Sequence, residues 1–307
     1  MVCSITQVIF WLCKIGGISM HIQWYPGHMT KAKRMMQENI KLIDLIIEIV
    51  DARVPISSRN PDIDELGKNK ARLIVLNKSD LACEKENELW KEHFAQKGFS
   101  VAKVNAKSGS GVKSIHKTIQ EACKEKIERN RKKGILNRPI RAMVVGIPNV
   151  GKSTFINALA GKACTKTGNK PGVTKGKQWI RLNKQVELLD TPGILWPRFE
   201  DQEVGMKLAF TGAIKDEVIN RRELAAEALK FLVQAYPGIL TKKYTVDESK
   251  ETYTCLLEIA EKRKILLKGN TYDIDKAAVL LLDDLRNGKL GAITFEFVKE
   301  YEQEIDN

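Results

Sequence analysis

The chain has 307 residues, 43% hydrophobic and 29% charged, which excludes wholesale disorder and leaves room for about two domains with ample core. Its formal net charge of +13 points to a polyanionic partner, either nucleic acid or an anionic membrane surface. The six cysteines are scattered, with no CxxC pair and no zinc spacing, so reduced thiols and a cytoplasmic location fit, whereas a disulfide scaffold or zinc module does not.

Residues 1–19 stand apart. Ile5 to Ile18 is mostly apolar, but it is too short to span a bilayer and lacks a basic region before it and a clear small-residue cleavage site. Met20 opens a well-patterned segment, so residues 1–19 read as an extension ahead of the native start. A weakly membrane-associating tail is the second reading. Pro26-Gly27 marks a turn, and Thr30 is placed to cap a basic amphipathic helix from Lys31 to about Ile40. Apolar runs at Leu45 to Val50, Arg72 to Leu76 and Val101 to Val104 predict buried strands, ending at Asp51-Ala52-Arg53, Asn77-Lys78-Ser79-Asp80 and Asn105-Ala106-Lys107. Helices are expected from Ile63, over Glu86 to Gln96, and as one long basic helix over Val112 to Lys133.

The fourth strand, Ile140 to Val145, runs into Gly146-Ile147-Pro148-Asn149-Val150-Gly151-Lys152-Ser153, and a helix follows from Thr154. Two more strands, Gln178 to Leu182 and Gln185 to Leu189, lead to Asp190-Thr191-Pro192-Gly193. From Asp201 the pattern is helical, over Glu203 to Ala213, Arg221 to Gln234, Ser249 to Leu267 and Asp273 to Asn287. Strands alternating with helices predict an α/β domain over residues 20–200, with a mostly parallel sheet that binds ligands at the carboxyl ends of its strands. Residues 201–307 are expected to form a small all-helical domain that contacts RNA.

The motifs carry specific chemistry. Strand, glycine-framed loop, Lys-Ser and helix is the P-loop layout, in which the backbone from Asn149 through Val150, Gly151, Lys152, Ser153 and Thr154 cradles phosphates at a helix N-terminus. Lys152 would reach the β- and γ-phosphate oxygens, and the Ser153 hydroxyl would hold Mg²⁺. Asp190 is placed to steady that Mg²⁺ through water, Gly193 to offer its N–H to the γ-phosphate, and Thr174 to supply the second Mg²⁺-ordering hydroxyl. Asn77-Lys78-Ser79-Asp80 is a guanine signal, because the Asp80 carboxylate accepts from guanine N1–H and the 2-amino group, which adenine lacks. Asn77 would reach the N7/O6 edge or tie neighbouring loops together. The Lys78 stem would lie across the base, and Asn105, Ala106 and Lys107 would offer backbone contacts to O6.

Conventional GTPases place the P-loop before the guanine motif, and here the order is reversed. The break in the permuted chain therefore falls after Asp190 to Gly193, so the helical domain follows directly from the γ-phosphate sensor. With Trp24-Tyr25-Pro26-Gly27-His28-Met29-Thr30-Lys31-Ala32, Asp51-Ala52-Arg53-Val54-Pro55 and Leu208-Ala209-Phe210-Thr211-Gly212-Ala213-Ile214, the chain over about residues 20–300 resembles the circularly permuted GTPases of the ribosome biogenesis GTPase A type. The resemblance implies a GTP-hydrolysing factor that binds the precursor of the large ribosomal subunit through rRNA, not DNA, and promotes its late maturation. A monomer off the ribosome is expected.

Where Ras-like enzymes place a water-orienting Gln, this chain has Ile194, so slow intrinsic hydrolysis stimulated by the subunit is expected. Asn149 resembles the asparagine that binds K⁺ in cation-dependent GTPases, and the family's proposed catalytic histidine falls on His28. Basic runs at Lys31, Lys33 and Arg34, at Lys124 to Lys133, at Lys242-Lys243 and at Lys262-Arg263-Lys264 suit RNA phosphates. The other functional classes weighed are a GTP-clocked RNA-modification factor and a membrane-attached GTPase.

Overall fold

The computed structural model describes residues 34–136, 138–165, 178–191 and 202–306. These residues divide into a sheet unit and a helical unit, the latter ending at Ile293. Thr294 onward groups with the sheet unit, which corrects the expectation that 201–307 is one helical domain.

The sheet unit is built on β1 (Leu45–Asp51), β2 (Ala71–Asn77), β3 (Ser100–Lys103), β4 (Ile140–Val145), β5 (Gln178–Arg181) and β6 (Val186–Asp190). Their order is β3-β2-β1-β4-β6-β5, with β5 alone antiparallel to its neighbour. All seven residues of the central β1 are buried, as a parallel strand covered on both faces requires, and this holds even for Glu48 and Asp51. Register does the assembling. β1 and β2 pair Asp51 with Asn77, and β4 and β6 pair Val144 with Asp190. Motifs far apart in sequence thus emerge side by side at the carboxyl end of the sheet.

Helices α1 (Asp62–Leu66), α2 (Glu84–Gln96), α3 (Ile115–Ala122), α4 (Lys124–Lys132) and α5 (Lys152–Ala160) connect the strands. The long basic helix expected over Val112 to Lys133 is in fact two. α3 buries Ile115 and Ile119, α4 buries none of its residues, and Cys123, itself buried, leaves helical geometry at φ −104°, ψ 10°. Beyond Cys123 the apolar stripe thins to the half-buried Ile127, so the charged second half is covered less than the first. Burial also pushes the Cys123 thiol up to about 11.

The last helix of the sheet unit, α11 (Val298–Asp306), has no counterpart in the sequence reading. Val298 and Tyr301 join a core made of Val50, Ala52, Ile74, Leu76, Trp90 and Phe94. The segment before it is bonded throughout. Phe295 N–H donates to Arg53 O at 2.8 Å, Trp90 Nε1 to Glu296 O at 3.0 Å and Cys83 N–H to Thr294 Oγ1 at 2.9 Å. The Glu296 carboxylate accepts from Ile56 N–H at 2.7 Å, from Ser57 N–H at 3.0 Å and from the Ser57 hydroxyl.

The helical unit contains α6 (Gln202–Thr211), α7 (Arg221–Ala235), α8 (Ile239–Tyr244), α9 (Thr252–Lys262) and α10 (Ile274–Arg286). Asn220 caps α7 and Asp273 caps α10 with side-chain oxygens, while Arg286 donates to the Ala209 and Phe210 carbonyls near the end of α6. The helix expected over Ser249 to Leu267 stops at Lys262. There Lys264 is left-handed at φ 53° and Ile265 N–H closes back on Ala260 O at 2.8 Å, a Schellman-type stop. The short α8 was not among the expected elements. Among the described residues no helix is long and apolar enough to cross a membrane.

Candidate nucleotide site

The P-loop backbone takes the shape its glycines permit. A Cβ at Gly146 would lie 2.7 Å from Ile49 O. Gly151 has φ +90°, and a Cβ there would lie 2.5 Å from Asn77 Nδ2. Asn149 is also left-handed, at φ 62°. Phe155 N–H bonds Gly151 O at 2.9 Å and closes the first turn of α5, whose N-terminus carries Lys152, Ser153 and Thr154. Amides at a helix start and left-handed turn residues together make an anion cradle.

Lys152 is buried, and its ammonium is folded onto the end of β6. It pairs with Asp190 Oδ1 at 2.5 Å and donates to Thr191 O. Burial pulls the ammonium below the ordinary lysine range, against the pull of Asp190. The second Asp190 oxygen, Oδ2, is buried and has no hydrogen-bond partner among the described residues. Thr191 Oγ1 donates to Val144 O at 2.8 Å, which fastens this segment to the strand leading into the P-loop. The donor set suits Mg²⁺, because a half-buried Ser153 hydroxyl and a carboxylate oxygen still lacking a partner are hard oxygen ligands. Among the described residues no group of three or more His, Cys, Asp or Glu is placed to hold a metal, so the phosphate oxygens of a nucleotide would complete the ion's shell.

At the guanine motif the structure decides what Asn77 does: it ties the loops. Its Nδ2 donates to Val150 O at 2.7 Å in the P-loop, and its Oδ1 accepts from Ala106 N–H at 3.0 Å. The Ala106 amide is therefore engaged by Asn77, and those of Lys107 and Ser108 by Asn105 Oδ1, at 3.0 and 3.1 Å. Asp80 is exposed on a single 3-10 turn, Ser79–Leu81, and Ser79 O accepts from Asn87 Nδ2 at 3.0 Å. Lys78 is left-handed at φ 57°, ψ 34°, and its Nζ bonds Asp51 Oδ2 at 2.9 Å. That partner, Asp51, ends β1 in the Asp51-Ala52-Arg53 motif, to which the sequence reading gave no role. Its signal was an acid and an arginine closing a mostly apolar strand.

The predicted residues that the structure brings together are Asn77, Lys78, Asn105, Ala106, Val150, Gly151, Lys152, Ser153 and Asp190. His28, Thr174 and Gly193 lie outside the described residues, as do Lys31, Lys33 and residues 1–19. His93 is buried, 3.2 Å from Glu302, and stacks edge-on against Trp90 and Tyr301, a packing role. Two basic runs of the helical unit meet, since Arg263 donates to Lys243 O at 3.2 Å and lies 5.3 Å over the Tyr244 ring. On α4, Lys126 pairs with Asp44 at 2.9 Å, while Lys124, Arg129, Arg131 and Lys132 are exposed.

Comparison with known proteins agrees with this geometry. A family model described as 50S ribosome-binding GTPase matches residues 141–268, and one described as RsgA GTPase matches residues 66–199. The chain is 49% identical to ribosome biogenesis GTPase A of Bacillus cereus over 94% of this chain and 98% of that protein. It is 32% identical to the Thermotoga maritima protein of the same name, over 90% and 94% of the two chains. The crystal structure of GNP-bound YlqF from T. maritima superposes with a TM-score of 0.64 at 29% identity, covering 87% of this chain and 98% of that one. A GDP-bound YlqF structure gives the same TM-score at 28% identity, covering 87% and 100%. A phosphate cradle, a guanine motif preceding it in the chain and these relatives lead to one conclusion: the chain belongs to the ribosome biogenesis GTPase A family, a circularly permuted, GTP-binding and GTP-hydrolysing fold with a helical C-terminal region.

Proposed function

We propose that this GTPase is an assembly factor that binds the precursor of the large ribosomal subunit through rRNA and promotes its late maturation in the cytoplasm, hydrolysis resetting the bound state. The observation that carries the reading is the coexistence of the nucleotide cradle with exposed cation clusters on α4 and at the joined ends of α8 and α9. Lys and Arg side chains placed this way bind phosphate backbones without reading sequence. The printed names of the matching family model and of the relatives, 50S ribosome-binding GTPase and ribosome biogenesis GTPase A, support the same partner.

In this reading Asp80 accepts from the guanine edge, and the base supplies the burial its exposed carboxylate lacks. The stem of Lys78 lies against the base, and Asn77 holds the base loop and the phosphate loop at fixed separation. A triphosphate entering the cradle draws the Lys152 ammonium from Asp190 and Thr191 toward its β- and γ-oxygens. Asp190, freed of that pair, would be able to steady a metal ion through water. Ser153 and Thr174 would hold Mg²⁺ and Asn149 would hold K⁺, and bound cations there would supply charge neutralisation at the phosphates where other enzymes use an arginine. With Ile194 in the position of a water-orienting side chain, His28 is assigned to the attacking water on the ribosome.

The test is GTP hydrolysis at matched ionic strength in K⁺ or Na⁺, with and without purified large subunits and their precursors, for wild type and His28→Ala. Stimulation by subunits that His28→Ala loses, with GTP and subunit binding intact, supports the reading. A rate indifferent to mature and precursor subunits overturns it.

A further inference from the structure

The buried acid at the end of β1 belongs to no motif of nucleotide binding, yet it is bonded to one. Asp51 and Arg53 are 2% and 1% exposed. Asp51 Oδ1 accepts from Arg53 N–H at 3.1 Å and Arg53 Nε at 2.9 Å, and Oδ2 accepts from Arg53 Nη2 at 2.8 Å. Those contacts alone would satisfy a structural ion pair. Oδ2 takes a further cation, Lys78 Nζ at 2.9 Å, whose side chain remains 24% exposed. The amine therefore points inward to a buried anchor while part of the aliphatic stem stays at the surface of the guanine loop.

The anchor is itself held from several directions. Parallel register sets Asp51 beside Asn77, so Lys78 is the next residue along. Asp51 N–H donates to Ser58 Oγ at 3.0 Å, and that hydroxyl donates to Val54 O at 2.6 Å. Arg53 O accepts from Phe295 N–H at 2.8 Å, and the Glu296 carboxylate takes the amides of Ile56 and Ser57. A chain segment about 240 residues downstream thus braces the loop that carries the anchor.

We propose that Asp51 is a positioning residue for guanine nucleotides: it pins the Lys78 amine so that the lysine stem presents a fixed apolar face to the base. This rests on the reading that Lys78 lies against guanine. Preorganisation of this kind lowers the entropy lost when a base docks on a long flexible side chain. The Asp51–Arg53–Lys78 cluster is therefore a second layer behind the guanine loop.

The experiment is a double-mutant cycle on the full chain, read as the dissociation constant of a fluorescent GDP and as KM and kcat for GTP. Lys78→Ala is expected to weaken GDP binding about tenfold, and Asp51→Asn by about five- to tenfold, the loss falling on KM more than on kcat. In the Lys78→Ala background, Asp51→Asn should cost less than about twofold more, because its effect passes through the lysine. Lys78→Met keeps the stem and the Asp51–Arg53 pair but removes the amine. It should lie between wild type and Lys78→Ala, and it decides the matter if Asp51→Asn does not fold. Multiplicative losses in the double variant, or Lys78→Met binding as tightly as wild type, would overturn the anchor. Lys78→Ala binding GDP as tightly as wild type would instead remove the reading of Lys78 on which the anchor rests.

Discussion

The phosphate end and the guanine end of the site are built on opposite plans. At the phosphate end, the groups that do chemistry are neutralising each other: Lys152 is paired with Asp190, and Asp190 Oδ2 is buried without a partner. At the guanine end the supporting groups are already satisfied. Asn77 uses both atoms of its amide, and Asp51 is saturated by Arg53 and Lys78. On the proposed reading, a nucleotide would rearrange the first region and dock on the second. On the proposed reading that division suits a switch, since a γ-phosphate would draw the first region into a second arrangement and leave the second region as built.

The comparison can be broken at its most reactive point first. Lys152→Ala removes the cation that must move, and steady-state phosphate release at saturating GTP should fall by about a hundredfold or more. A loss smaller than about threefold would mean that Lys152 stays on Asp190 throughout the cycle. Next comes the clasp between the ends. Asn77→Ala deletes two buried hydrogen bonds and strands a P-loop carbonyl and the Ala106 amide, so both stability and GDP affinity should drop by about 2–3 kcal/mol. Urea unfolding with and without GDP separates the two contributions.

Glu296→Ala acts on the loop that follows Asp51 and Arg53. It uncovers the Ile56 and Ser57 amides, and the expected loss is about 1–2 kcal/mol, seen as a fall of roughly 3–6 °C in thermal midpoint. If GDP affinity falls with it, the brace reaches the base; if only the midpoint moves, the brace is confined to folding. The smallest expected effect is with pH. Burial alone would raise the Asp51 carboxyl, but Arg53 and Lys78 outweigh it and hold the group well below the usual carboxylate range. A depressed carboxyl contributes stability fully present above its unfolded value, about 3.9, and lost as pH falls through the folded one. Asp51 should therefore add no slope to the pH–stability profile between about pH 5 and 8, and its loss should begin only in acid below about pH 4. Comparing wild type with Asp51→Asn across that range isolates the contribution.

Much of this was legible in the chain because it is local. Gly146 and Gly151 frame a turn that only small residues allow, and the runs at Leu45, Arg72 and Ile140 are too continuously apolar to be anything but covered strands. The failures were also physical. The backbone leaves helical geometry at Cys123, beyond which Ile127 is the one apolar residue of the next helix, so one expected helix became two. Lys264 takes a left-handed turn that its residue type does not announce. Residues 294–306 carry no P-loop-like signal, and their allegiance depends on Trp90, Arg53 and Glu296 meeting across more than two hundred positions.

By itself the sequence determined the chemistry available and its order along the chain: a phosphate loop, a guanine motif ahead of it, and a basic helical region after both. These depend on residue type at short spacing, which any folded context preserves. Only the tertiary structure decided that Asn77 ties two loops, that Lys78 is held by Asp51, and that the last helix belongs with the sheet. Each of those is set by which strands lie side by side and in what register. Register follows from burying both faces of a parallel sheet at once, a condition on the whole chain that no single segment carries.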